Sequence, residues 1–278
     1  MIRQPAWAVV PIAAATVLGV AVSGCMAHSP NNAQASDTWT RSYTVDPGAE
    51  VRIANASGNV DVEGVDGNTV EVAAERIAHG ATEQLARDLV PQIPIKENVS
   101  PKLVSIETGR IDGILLGASY EVRYRVRTPR AVSLRATSNN GSVEVRMLSG
   151  RVSAQTVNGA VRASDLSGGL DARAVNGVVN VQLSELGTSN VSLTTVNGRV
   201  RLVLPPTAKA TVTATWLNGA MHAQGLTFDV VDDSKRHFEG RLNGGGTPID
   251  LRTTNGGIVV AAQGTPEDPQ GTPEDERR

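Results

Sequence analysis

The chain has 278 residues, enough for one large domain or two small ones. Its net charge of −2 excludes the basic footprint of a nucleic-acid binder, and an aromatic content of 3% excludes a broad stacking groove for flat ligands. Cys25 is the only cysteine, so the chain carries neither a disulfide framework nor a paired-cysteine metal motif.

The N-terminus reads as an export signal over residues 1–24. Arg3 supplies the positive charge, Ala6 to Val20 is apolar and rich in small residues, and Val22-Ser23-Gly24 leads into Cys25. This arrangement resembles the lipobox of bacterial lipoproteins, which implies lipidation of Cys25 and palmitate among the attached chains. The competing reading is a transmembrane anchor. It is disfavoured because the apolar run is short, is broken by Pro11, and is followed by no basic stop-transfer cluster. A single acyl chain holds only marginally, so stable anchoring needs the several chains that such processing adds. The expected location is the bacterial cell envelope, anchored to a membrane by lipid, with the folded part outside the cytoplasm. Residues 25–38 are polar and read as a flexible tether, in which His28 is solvated.

Residues 39–262 read as the folded domain. Thr40 to Thr44, Glu50 to Ala54, Asn59 to Val65 and Val70 to Ala74 are short strands separated by Asp46-Pro47-Gly48 and Asp66-Gly67-Asn68 turns. Leu85 and Leu89, four apart between Thr82 and Pro91, predict one short amphipathic helix. From Tyr120 to Thr128, Tyr120, Val122, Tyr124 and Val126 share one face, and Arg123, Arg125 and Arg127 with Glu121 share the other. That arginine row either binds an anionic polymer or pairs with acidic neighbours; the second is favoured because cross-strand charge pairing is common.

From Ser138 an Asn-Gly step recurs at Asn140, Asn158, Asn176, Asn197 and Asn218, at intervals of 18, 18, 21 and 21 residues, and again at Asn255. Two and four residues after each glycine lie apolar residues, such as Val143 and Val145 or Val179 and Val181, with an outward residue between them. Halfway between these steps, Ser149-Gly150 and Ser167-Gly168 repeat the pattern. A unit of 18–21 residues with period-two patterning predicts an all-β parallel β-helix-like solenoid. An antiparallel meander with Asn-Gly hairpin turns is the alternative. Recurrence of Val-Asn-Gly on one corner only (157–159, 175–177, 196–198) favours the solenoid. Stacked coils would align the asparagines in a ladder, with Gly141, Gly159, Gly177, Gly198, Gly219 and Gly256 as structural turns and positive φ expected at Gly159, Gly177 and Gly198. Between Leu226 and Gly245 the repeat lapses, and a charged excursion containing Asp229, Asp232, Asp233, Lys235 and Arg236 replaces it. Residues 263–278 hold a twofold Gly-Thr-Pro-Glu-Asp and read as a disordered acidic tail.

Asn55-Ala56-Ser57-Gly58-Asn59-Val60-Asp61-Val62, Thr137-Ser138-Asn139-Asn140-Gly141-Ser142-Val143 and Gly246-Thr247-Pro248-Ile249-Asp250-Leu251-Arg252-Thr253-Thr254-Asn255-Gly256-Gly257-Ile258 together resemble the bacterial putative-adhesin family, a domain of unknown function, over about residues 39–262. The resemblance implies a β-repeat scaffold and supplies no catalytic residues, cofactor or metal.

Motifs for chemistry are scarce. No Gly-x-Ser-x-Gly elbow, His-Glu-x-x-His or phosphate-binding glycine loop occurs, and His28, His79, His222 and His237 have no ligand spacing. Stacking places Glu144, Arg162, Asn180, Arg201 and His222 along one outward row, with Arg162, Arg201 and His222 as candidate binding residues. That row holds one carboxylate, whereas glycoside hydrolysis uses two; Asp165 and Asp171 are the nearest other pair. The expected function is a non-enzymatic surface lipoprotein, without cofactor, contacting an envelope protein or polysaccharide and no nucleic acid. An envelope-stress or regulatory accessory lipoprotein, and a polysaccharide-active enzyme, are the alternatives.

Overall fold

The computed structural model describes residues 33–111 and 117–265; Cys25, the expected export signal and residues 266–278 lie outside them. The first strands are β1 (Ala33–Thr44), β2 (Glu50–Ser57), β3 (Val60–Val65) and β4 (Thr69–Gly80). Helix α1 (Glu83–Leu89) precedes β5 (Ile95–Ser100), β6 (Leu103–Thr108) and β7 (Ser119–Pro129). Strand pairs follow: β8 (Ser133–Asn140) with β9 (Val143–Arg146), β10 (Val152–Asn158) with β11 (Val161–Ser164), β12 (Leu170–Asn176) with β13 (Val179–Gln182), and β14 (Val191–Asn197) with β15 (Val200–Leu204). The last are β16 (Ala210–Asn218) with β17 (Met221–Gln224), β18 (Phe228–Ser234) with β19 (His237–Leu242), and β20 (Thr247–Asn255) with β21 (Ile258–Ala262).

Two sheets face each other across one core. The first runs β1-β4-β7-β3-β9-β11-β13-β15-β21-β17, and the second β18-β19-β16-β20-β14-β12-β10-β8-β2-β6-β5. Each rung crosses from the second sheet to the first at the Asn-Gly corner and stacks in parallel, in register, on its neighbour: Val161 pairs with Val143 and Val179, and Asn158 with Asn140 and Asn176. The fold is therefore the solenoid, not the meander. Inward positions such as Val143, Val161, Val179 and Val200 are fully buried, as are Ala154 and Ala172 opposite. These small residues let the sheets approach closely, and each buried aliphatic side chain contributes about 1.5–3 kcal/mol.

The corner explains why Asn-Gly recurs. Asn158 Nδ2 donates to Asn140 Oδ1 (2.8 Å), Asn176 to Asn158 (2.9 Å) and Asn197 to Asn176 (2.8 Å), forming a continuous side-chain ladder. The glycines stack as tightly as the asparagines. A Cβ on Gly177 would lie 1.8 Å from the Gly159 carbonyl oxygen, and its φ is +159°; Gly159 has φ +153° and Gly198 +159°. Close backbone approach excludes a side chain there even before the dihedral is considered.

Three features depart from the sequence reading. Strand β1 begins at Ala33, so residues 33–38, assigned to the tether, are strand paired antiparallel to β4 (Ala33 with Gly80, Thr38 with Glu75). The excursion at 226–245 is no coil: β18 and β19 form an antiparallel hairpin that covers β16. The rungs also do not stack in chain order. The last one, β20/β21, inserts between β14/β15 and β16/β17, where Asn255 donates to Asn197 and accepts from Asn218, each at 2.8 Å.

The opposite end is closed by antiparallel strands in both sheets, β4 and β1 in one and β5 in the other. Helix α1 packs there with Ala86 and Leu89 buried, and Thr82 caps it by accepting from the Leu85 N–H at 3.2 Å. Beneath the first rungs lies a buried polar chain. Asn55 Nδ2 donates to the carbonyls of Gly58 (2.9 Å) and Val122 (2.7 Å), Thr108 Oγ1 donates to Asn55 Oδ1 (2.9 Å), and the Tyr124 hydroxyl bonds to Thr108 (2.7 Å).

Candidate functional site

The outward positions of the first sheet form parallel rows, because strict register projects equivalent residues at steps of about 4.8 Å. The main row reads Thr40, Ala73, Arg125, Asp61, Glu144, Arg162, Asn180, Arg201, Val259, His222. A second reads Ser42, Glu71, Arg127, Glu63, Arg146, Ser164, Gln182, Val203, Ala261, Gln224. The expected row from Glu144 to His222 exists, with one correction: the inserted rung puts Val259 between Arg201 and His222.

The two halves of this face differ in charge. Over β4, β7, β3 and β9 the charges alternate and pair. Arg127 lies 3.8 Å from Glu63 and 3.9 Å from Glu71; Arg123 lies 2.6 Å from Glu121 and 3.9 Å from Glu75. The arginine row of β7 is thus matched by acidic neighbours, in pairs that are exposed and individually worth little. Over β11, β13, β15, β21 and β17 the outward positions carry no carboxylate. Arg162, Arg201 and His222 stand there among Ser164, Asn180, Gln182, Gln224 and small apolar residues, with Arg199 at the corner. Among the described residues no carboxylate pairs with Arg162.

At the border between the halves is a cleft of about 580 Å³, lined by Asn59, Asp61, Glu75, Arg125, Glu144 and Arg162 among others. Asp61 lies next to Glu144 in register, which corrects the expectation of a single carboxylate in the row. Arg146 binds both, with Nη1 3.0 Å from Glu144 Oε1 and Nη2 3.2 Å from Asp61 Oδ1. Burial raises the Asp61 pKa and outweighs the pull of Arg146, with Glu144 adding to the rise. Asp61 lies between Val60 and Val62, a spacing that turns it outward but does not place it beside Glu144. Which strand β3 neighbours is a tertiary fact that local spacing does not carry.

The remaining candidates do not converge. Asp165 sits at the far corner with φ +54°, whereas Asp171 is on the second sheet, 2.8 Å from Arg173. Among the described residues no group of three His, Cys, Asp or Glu could hold a metal ion, and no helix is long and apolar enough to cross a membrane.

A parallel β-solenoid with a polar, charge-segregated outer sheet defines the class of protein. The chain belongs to the Toastrack DUF4097 family, whose model matches residues 44–261. Among solved structures it is similar to a putative cell adhesion protein from Clostridium sporogenes, at 13% identity and TM-score 0.43, over 82% of this chain and 100% of that one. It is also similar to a putative adhesin from Bacteroides fragilis (11% identity, TM-score 0.28, 81% of this chain and 97% of that one). A third is a putative lipid binding protein from Parabacteroides distasonis (8% identity, TM-score 0.24, 81% and 96%). No curated protein matches the chain.

Proposed function

We propose that this protein is a non-enzymatic scaffold, anchored to a bacterial membrane through lipid on Cys25, whose first sheet contacts an anionic envelope polymer through Arg162, Arg201 and His222. The observation that supports this reading is the absence of carboxylates at the outward strand positions from β11 to β17, beside a half in which arginines and carboxylates pair. A long in-register array suits a polymer with repeating charge, because each rung offers the same backbone frame at a fixed step.

The test is retention on immobilised polygalacturonate by the mature chain. Arg162→Ala combined with Arg201→Ala is expected to weaken retention and its salt dependence while the melting temperature stays nearly unchanged. Unaltered retention would remove this face from consideration. For the anchor, Cys25→Ser is expected to release the protein from membranes or stall its processing; unchanged membrane retention and size would refute lipidation.

The pairing of Asp61 with Glu144 supports a second reading, a polysaccharide-cleaving site in the cleft, because two neighbouring carboxylates are what glycoside hydrolysis requires. Their shared tie to Arg146 favours a structural role instead. Turnover of acidic polysaccharides that Asp61→Asn and Glu144→Gln each abolish would establish the enzyme.

A further inference from the structure

We propose that Asn218 is a site of spontaneous deamidation, and that its conversion to a carboxylate loosens the terminal rung of the solenoid. The inference stands apart from the polymer reading and does not depend on it.

The chemistry is local. A glycine carries no side chain to shield its backbone nitrogen. In an Asn-Gly step that nitrogen can attack the side-chain carbonyl carbon of the asparagine, closing a succinimide ring and releasing the amide nitrogen as ammonia. Water then opens the ring at either carbonyl, leaving aspartate or isoaspartate. One carboxamide and one water become one carboxylate and one ammonium, and water is the only co-reactant. The attacking nitrogen must give up its proton, so an N–H already committed to a hydrogen bond makes a poor nucleophile.

Seven Asn-Gly steps occur in the chain, six at the corner and one at Asn243-Gly244. The stack guards five of the six. The N–H groups of Gly141, Gly159, Gly177, Gly198 and Gly256 donate to the carbonyls of Asn158, Asn176, Asn197, Asn255 and Asn218, at 2.9–3.0 Å. Gly219 stands where the stack ends. Strand β17 is the last of its sheet, and the hairpin of β18 and β19 follows β16 only as far as Trp216, whose N–H donates to the Arg236 carbonyl at 3.2 Å. Among the described residues nothing accepts from the Gly219 N–H. Gly219 is exposed, whereas the other five corner glycines are half-buried.

The side chains follow the same logic. Asn158, Asn176, Asn197 and Asn255 each donate one ladder bond and accept another. Asn218 donates to Asn255 at 2.8 Å and accepts nothing among the described residues, so its carboxamide is held at one end only. Asn243-Gly244 lies outside the stack, in the turn after β19. There Asn243 Nδ2 donates to the carbonyls of Pro206 (2.9 Å) and Ala208 (2.8 Å), which pins the nitrogen that would have to leave.

Conversion of Asn218 has a structural consequence. A carboxylate oxygen would replace the donor that now faces Asn255 Oδ1, and the last ladder bond would be lost. The isoaspartate product also lengthens the main chain between β16 and β17. That shifts the pairing of Met221 with Ile258 and of Ala223 with Val260.

Peptide mapping of the intact folded chain during incubation in mildly alkaline buffer tests the site, with the chain in guanidinium as reference. In the folded chain Asn218 is expected to convert about tenfold faster or more than Asn158, Asn176 or Asn243, which must first break bonds and open locally. In guanidinium the seven steps should convert at similar rates. The proposal is overturned if Asn218 converts no faster than the other corner asparagines in the folded chain, or if Asn243 outpaces it. A rate advantage that persists unchanged in guanidinium would place the cause in local sequence and overturn it equally. The second measurement is amide hydrogen exchange on Asn218→Asp. Faster exchange from Met221 to Gln224, with β10 and β12 unchanged, is the expected result; unchanged exchange in β17 would overturn the loosening.

Discussion

Asn255 donates its side-chain amide to Asn197 at 2.8 Å, although 58 residues separate them and the intervening Asn218 has the same Asn-Gly signature. Asn255 also accepts from Asn218, so it joins the two rungs that enclose it. Asn255→Ala removes both ladder bonds at an exposed corner and is expected to lower stability by about 1 kcal/mol. A urea titration checks this. An unshifted midpoint would mean that the ladder follows from the backbone stack and adds nothing to it.

Gly177→Ala should be far more damaging than its size suggests. The new methyl carbon would meet the Gly159 carbonyl oxygen at 1.8 Å, so the rungs must separate locally, at a cost of about 3 kcal/mol or more. Gly48 provides the control, since its φ is +75° but nothing lies within 4 Å of an added Cβ. Gly48→Ala is expected to cost only about 1–2 kcal/mol, the penalty of a left-handed conformation alone. Equal losses in thermal melts of the two variants would show that dihedral strain, not stacking, dictates the corner glycine.

Burial raises the pKa of the Tyr124 hydroxyl to about 12, partly offset by its bond to Thr108. A phenol whose folded value is raised contributes stability that is complete below the unfolded value near 10 and is lost as pH rises towards 12. Alkaline unfolding should therefore steepen across that window, and ultraviolet titration should show two tyrosines ionising late, Tyr124 and also Tyr43, which burial and its bond to Glu97 push up as well. Tyr124→Phe is expected to remove that contribution and to cost about 1 kcal/mol at neutral pH, through the bond lost to Thr108. A titration in which all three tyrosines ionise together while the fold persists would contradict it.

Asp61 gives the corresponding effect in acid. Its raised pKa means that the folded state holds the proton more tightly than the unfolded chain. Its contribution is then complete below the ordinary carboxylate value and declines as pH rises through the raised value. Asp61→Asn should flatten this decline, and the stability difference from the parent should be more favourable to the variant at pH 7 than at pH 3. The opposite trend in paired denaturation curves would show that Arg146 dominates the site.

The rungs were legible because a two-residue period after a fixed turn leaves little freedom. Once Val143, Val161, Val179 and Val200 face inward, Glu144, Arg162, Asn180 and Arg201 must face outward in one row. The order of the last two rungs was not legible. Asn218-Gly219 and Asn255-Gly256 carry the same turn signature, so spacing alone does not say which of them stacks on Asn197. The start of the domain was obscured for a different reason. Gln34, Ser36 and Thr38 look like linker residues, yet β1 lies at a sheet edge where polar residues face water on alternate positions. The cleft was half visible. Glu144 and Arg162 follow from spacing, whereas Asp61 and Arg125 arrive beside them through β3 and β7, whose pairing depends on contacts distant in sequence.

The late insertion of β20/β21 also limits how the molecule can be made. A chain emerging N-terminus first can add rungs one at a time only as far as β15. Strand β17 then has no partner, and β16 has only the hairpin of β18 and β19, until residues 247–262 arrive and join both to the stack. The last part of assembly is therefore a closure, in which one rung enters between two others, and not another step of zippering. A polypeptide ending near residue 245 would lack the piece that joins the terminal rung to the stack, and so would not be a shorter rod.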